Sequence, residues 1–187
     1  MHGPHPLAER LIERLHGVAG SPILDFATGS GRNAEALRRA GFIVVAIADD
    51  AAACEFSLRN GEQRFAGALS THGLLHGTPA TVEARVRAIA RCLASGGLLY
   101  ATFGSTRDSR FGRGKQIDDS TFAPTDGDER GVAHAYFDRE RLLSILDRYF
   151  IVESLSEECV DDVAGSWAHR ERPLDGAAHW FAIARKR

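Results

Sequence analysis

The run Ile23-Leu24-Asp25-Phe26-Ala27-Thr28-Gly29-Ser30-Gly31-Arg32-Asn33-Ala34-Glu35-Ala36-Leu37 constrains the fold more than any other stretch of the chain. Its opening residues are mostly apolar and follow Ser21-Pro22, which reads as entry into a short buried strand. Gly29 and Gly31 permit a tight turn and let a ligand approach the main chain with no Cβ in the way. The helix that follows points its first amides back at that turn. Strand, glycine turn and helix in this order make a nucleotide-type cradle at the edge of an α/β sheet.

The rest of the chain supports a doubly wound, mostly parallel sheet. Leu7, Leu11 and Leu15 recur at helical spacing, with Ile12 beside them, so an amphipathic helix fills the N-terminal segment, residues 1–20. Residues 42–47, Phe-Ile-Val-Val-Ala-Ile, are continuously apolar, as a central parallel strand should be. Residues 65–69 form the next strand. Thr78-Pro79 caps and starts a helix whose buried stripe is Val82, Val86, Ile89 and Leu93. Ser95-Gly96-Gly97 ends that helix, and residues 98–103 return as a strand. Asp138 caps a further helix, and the last two strands, 150–155 and 179–184, join without a crossover helix and should be antiparallel. Between Asp49-Asp50 and the strand at 65 there is room for a short helix over 51–58 and an Asn60-Gly61 turn, but not for a further strand. The expectation is therefore a six-stranded Rossmann-like sheet, its third strand missing, in one domain spanning 1–187.

Residues 104–135 carry no long apolar period and are rich in Gly, Asp and Arg. A loop of this length in a compact domain is usually functional. It follows a strand's carboxyl end, so it is read as a lid over the site. Arg110 and Arg113 are its candidate contacts to an anionic substrate.

Composition narrows the function. An apolar content of 44% supports a true core, and a net charge of −2 argues against general nucleic-acid binding. Cys54, Cys92 and Cys159 are scattered without a C-x-x-C, which fits a reducing, cytoplasmic setting. No apolar run reaches the length of a membrane span.

Two cofactors suit the cradle. Gly29-x-Gly31-x-x-Ala34 satisfies the dinucleotide fingerprint, with Asp49 at the position of a ribose-binding acid, which would suit NAD. Asp25-x-Ala27-x-Gly29-x-Gly31 also resembles motif I of the class I S-adenosylmethionine (SAM) methyltransferases, with Ala27 in place of the first glycine. Gly29-Ser30-Gly31-Arg32-Asn33 looks like the G-x-G-R-N of the small tellurite-resistance-type branch, and the helix–Gly-Gly–strand unit ending at Gly96-Gly97 looks like the family's L-x-P-G-G-x-L. The resemblance covers nearly the whole chain and implies SAM as cofactor and a small-molecule methyl acceptor. It implies that Asp25, Ala27, Thr28, Gly29, Ser30, Gly31 and Asn33 organise or touch the cofactor, with Ser70 and Thr71 beside it. It also implies a ribose acid after the second strand. The family's usual position falls on Ala48, so Asp49 takes that role from one residue later.

His72 follows the carboxyl end of the third sequence strand and is the first candidate for a general base. His134 and Tyr136 are weaker candidates from the same face, and His76 is a candidate substrate contact. A structural or cofactor-contacting role fits each histidine equally. The spacing His72-x-x-x-His76 is interrupted by Gly73 and followed by Gly77, which argues against a rigid helical ligand pair, so no metal is expected. The open edge left by the absent strand makes a homodimer an expectation. The competing readings are a SAM-binding protein that has lost catalysis or needs a partner, and an NAD(P) oxidoreductase.

Overall fold

The computed structural model describes residues 3–18, 20–47, 65–163 and 176–187. The elements run α1 (Pro6–Arg14), β1 (Pro22–Phe26), α2 (Arg32–Arg39), β2 (Ile43–Ile47), β3 (Phe65–Ser70), a 3-10 turn (Gly73–Leu75), α3 (Pro79–Cys92), β4 (Leu93–Ser105), β5 (Lys115–Asp118), β6 (Thr121–Ala123), β7 (His134–Phe137), α4 (Arg139–Leu146), β8 (Phe150–Cys159) and β9 (Ala178–Lys186).

The sheet is built as β2-β1-β3-β4, all parallel, then β9 and β8, both antiparallel to their neighbours. Strand alternation sends residues to two cores, as both faces of a doubly wound sheet require. Leu24 and Phe26 pack with α3 (Val82, Val86, Ile89) and α4 (Leu142, Ile145, Leu146) on one face. Ile23 packs with α1 (Leu7, Leu11) and Leu37 of α2 on the other. The helix caps expected from sequence are in place: Thr78 accepts from Thr81 N–H at the head of α3, and Asp138 accepts from Arg141 N–H at the head of α4. His5 caps α1 through its ring, which was not expected.

Three expectations change. Among the described residues the sheet has seven strands, not six, because β7 joins it. Gly104 pairs with His179 of β9 on one edge and with Tyr136 of β7 on the other. β3 leaves that second edge at Ser70, opposite Ala101, and β7 takes it over further along. The second change is that segment 104–135 is no plain loop: it carries the antiparallel hairpin β5–β6, and β6 pairs with β7. Short strands whose residues are exposed on β5 leave no apolar period to read. Third, β2 was expected to be central, yet among the described residues its one neighbour is β1, and Ile43 is 59% exposed. The expected helix at 51–58 and the missing strand fall in 48–64, outside the described residues.

Candidate functional site

Parallel strands deliver their carboxyl ends to one edge of the sheet, and the candidate site is built there. Strand β1 ends in the turn Ala27–Gly31, β3 in Thr71–His76, and β4 in the segment carrying Asp108 and Arg110. The antiparallel β9 brings its first residues, including His179, to the same edge.

The turn has the conformation its glycines foretold. Gly29 and Gly31 have φ of 54° and 78°, and a Cβ at either would meet nothing within 4 Å, so their surroundings are open. Gly31 is also the N-cap of α2 and supplies no side-chain cap, which leaves that helix's first amides to other acceptors. Ala27, where the motif usually has glycine, is also left-handed, at φ 57°. Asp25 is buried beneath the turn and accepts a 2.6 Å hydrogen bond from Thr28 Oγ1. Burial raises its pKa, against the opposing bonds from Thr28 and the Ala34 backbone. Ser30 is exposed at the crest. Asn33 is buried: its Oδ1 accepts from His5 N at 2.9 Å, and its Nδ2 donates to Thr71 Oγ1 at 2.8 Å. One amide thus joins α1, α2 and the loop after β3. Ser70 is fully buried, with no partner for its hydroxyl among the described residues. Asp49 lies outside the described residues.

The open turn, the uncapped helix start and the Asp25–Thr28 brace fit the amino-acid end of a SAM-type cofactor, whose carboxylate suits free helix amides. Over this cradle lies the start of α1. His5 Nδ1 accepts from Leu7 N–H, so Nε2 carries the proton of the neutral ring. That Nε2 is buried with no protein partner among the described residues, and burial, helped by nearby His72, lowers the His5 pKa to about 3.

His72 occupies a left-handed backbone position, φ 72° and ψ −24°, uncommon for a residue with a side chain. Its N–H donates to Thr102 Oγ1 at 2.9 Å. Its ring stands edge-on to His5 and His179, with centroids 5.9 and 5.4 Å away. Nothing in the sequence flagged His5 or His179, which approach from opposite ends of the chain.

His134 and Tyr136 share a face of β7, and both are buried. Burial pushes the Tyr136 phenol above its usual pKa, which keeps it a neutral O–H. Its ring packs with Phe111 and Phe122, centroids 5.6 and 6.3 Å away, which seals the hairpin onto the sheet. His76 and His134 stand T-shaped at 5.0 Å, with Glu129 against both. Hydrogen bonding from the two imidazoles, His134 first, holds the Glu129 carboxyl well below the usual carboxylate range.

The two lid arginines part company. Arg113 is exposed. Arg110 is partly buried and forks onto Asp108, with Nε–Oδ1 and Nη2–Oδ2 both at 2.9 Å, while Nη2 also lies 3.2 Å from His179 Nε2. Asp108 accepts from Ala178 N as well. The guanidinium is thus matched by a buried carboxylate before any substrate arrives. Asp108 and Glu129 had no sequence signal of their own, because both sit in the aperiodic stretch.

No family model matches the chain, and no curated protein matches it by sequence. Solved structures do. The chain is similar to a SAM-dependent methyltransferase of Methanosarcina mazei, at 18% identity over 98% of each chain, with a TM-score of 0.68. It is similar to the 1,6-didemethyltoxoflavin-N1-methyltransferase of Burkholderia thailandensis, solved with S-adenosylhomocysteine, at 18% identity over 97% of this chain and 79% of that one, TM-score 0.60. It is also similar to the cyclase SpnF, at 18% identity over 99% of this chain and 87% of that one, TM-score 0.64. The fold is that of the class I SAM-dependent methyltransferases. One protein with this fold, SpnF, is a [4+2]-cyclase.

Proposed function

We propose that the protein transfers a methyl group from SAM to a small-molecule acceptor. The observation that carries this reading is the cradle: an open glycine turn, an uncapped helix start and a buried Asp25–Thr28 brace at the carboxyl edge of a methyltransferase-type sheet. On the run Gly29-Ser30-Gly31-Arg32-Asn33 we place it near the small tellurite-resistance-type branch.

Residues of the turn 27–31 and the first amides of α2 would hold the amino-acid end of SAM, Asp49 its ribose hydroxyls, and Ser70 and Thr71 the neighbouring wall. When bound, SAM supplies a sulfonium methyl that needs no further activation. The chain's part is alignment and exclusion of water, which together supply on the order of 7–11 kcal/mol in such reactions. His72, fixed by Thr102 and by its strained backbone, is placed to take a proton from the acceptor, worth about 10²–10⁴-fold where the acceptor must lose one. Tyr136 donates a hydrogen bond to the acceptor. His134 and His76 line the wall beneath the hairpin. Arg110 positions the Asp108–His179 side of that wall, and Arg113 stays at its rim.

Calorimetric titration with SAM, S-adenosylhomocysteine and NAD tests the reading. Micromolar binding of the first two, none of NAD, and loss in Gly31→Val and Asp49→Ala are expected. Binding of NAD alone would replace the reading with an oxidoreductase. A second reading, a SAM-binding protein with no methyl transfer, is favoured by the likeness to SpnF. Release of S-adenosylhomocysteine in a substrate screen, lowered in His72→Ala with SAM affinity kept, separates the two.

A further inference from the structure

We infer that His76, Glu129 and His134 form a binding site for one divalent first-row transition ion, at the seam between the loop after β3 and the hairpin. The three offer one ligand atom each, all within 4.8 Å of one another. His134 Nδ1 lies 2.9 Å from Val132 O. A carbonyl can only accept, so Nδ1 carries a proton, and the neutral ring presents the lone pair of Nε2 to Glu129. That Nε2 faces Glu129 Oε2 at 3.2 Å, and His76 Nε2 faces Glu129 Oε1 at 3.5 Å. That nitrogen and the carboxylate are held together either by a second proton on the ring or by a cation between them, and one cation serves both histidines at once.

Both separations exceed the roughly 2.7–2.9 Å of a charge-assisted N–H···O bond. Each is close to the roughly 3.3 Å between two donors that lie about 2.0–2.1 Å from a shared ion, the two histidines facing different oxygens of the one carboxylate. The bond from His134 to a backbone carbonyl is the outer-shell contact that orients ligating histidines. The neighbouring cation, Arg110 Nη1, is 3.8 Å from Glu129 Oε2, but its charge is met by the fork on Asp108.

The backbone is arranged before any ion arrives. His76 and His134 face each other across an isolated antiparallel bridge, and Gly77 N donates to Ala133 O at 2.7 Å. Arg85 donates to the carbonyls of Gly73 and His76 and so pins the turn that carries His76. His134 is buried, while His76 and Glu129 are partly open, which gives an ion an entry path. Two imidazoles and one carboxylate suit zinc, iron(II) or cobalt(II) rather than magnesium or calcium, which take oxygen donors. Three protein ligands leave a coordination position for water or for an anionic oxygen, nitrogen or sulfur of a small molecule. The site rests on this geometry alone and does not depend on the cofactor read for the cradle.

The test uses the full chain, stripped with chelator and titrated with Zn²⁺ by calorimetry and with Co²⁺ by visible absorption. The expected result is one ion per chain, a raised melting temperature with Zn²⁺, and visible cobalt bands of low symmetry. Glu129→Gln and His134→Asn should each weaken binding at least about 100-fold, more than loss of an outer-shell group does. Cys159→Ser and His16→Gln, at exposed positions elsewhere, should leave it unchanged. Should a buried-site variant fail to fold, the half-buried His76→Asn carries the same expectation. No binding by the wild type would overturn the inference in favour of a proton-bridged triad, and so would binding that all three ligand variants keep. S-adenosylhomocysteine titrated on the same samples reports on the cradle separately. Metal binding without it leaves this inference standing, and the reverse removes it.

Discussion

Ala27 is held in a backbone region that costs a residue with a Cβ about 1 kcal/mol or more. A Cβ added at Gly73 would come within 2.4 Å of Ala27 Cβ, and within 3.0 Å of Ser70 Oγ. Gly73→Ala should therefore destabilise the fold by about 1–3 kcal/mol through overpacking. Ala27→Gly should recover part of that, giving a coupling energy on the order of 1 kcal/mol in a denaturant double-mutant cycle. Independent effects at the two sites would contradict the contact. His5 provides a second test at this scale. Its folded pKa of about 3 lies below the ordinary 6.5. Between those values the unfolded chain holds a proton that the folded chain lacks, so this contribution is intact above pH 6.5 and is lost as pH falls toward 3. The slope approaches about 1.4 kcal/mol per pH unit at its steepest. His5→Gln should flatten the acid limb of the stability curve relative to wild type. Asp25 acts with the opposite sign: its pKa is raised, so its contribution declines as pH climbs above the ordinary 3.8.

Among the elements, the segment after β4 shows what a sequence does and does not disclose. Caps are local, and Thr78-Pro79 and Asp138 could be read directly. So could the positive φ of Gly29 and Gly31, because glycine before a helix has few other reasons to be there. The hairpin could not be read, since Lys115–Asp118 is a four-residue strand, exposed over its first three residues, with no alternation. Nor could the meeting of Asp108 with Ala178, or of Glu129 with His76, since each pair closes a long stretch of chain. Asp108 ties the segment after β4 to β9 by accepting from Ala178 N. Asp108→Ala leaves the partly buried Arg110 guanidinium without its fork partner and Ala178 N–H without an acceptor. A loss of about 2–3 kcal/mol is expected in urea unfolding. A loss below 1 kcal/mol would mean that the guanidinium finds water.

At the scale of the molecule, β4 is the spine. Its residues Leu98–Ser105 are all buried, and it is paired along both edges. Native-state hydrogen exchange should find amides of β4 and the paired part of β9 slowest. The β5–β6 hairpin, exposed on its outer strand, should exchange on the order of 100-fold faster. Equal protection would mean that the hairpin and the sheet open as one unit.

The takeover of the β4 edge by β7 has a consequence for how such a protein changes its diet. A cover sewn into the central ladder does not swing. Phe111, Phe122 and Tyr136 pack on one another where the hairpin meets the sheet, so the cover is moulded in place and not hung like a door. If the protein is the methyltransferase proposed above, new acceptors would be admitted by trading bulk at those three positions, while lengthening the hairpin turn would leave the range of acceptors as it was.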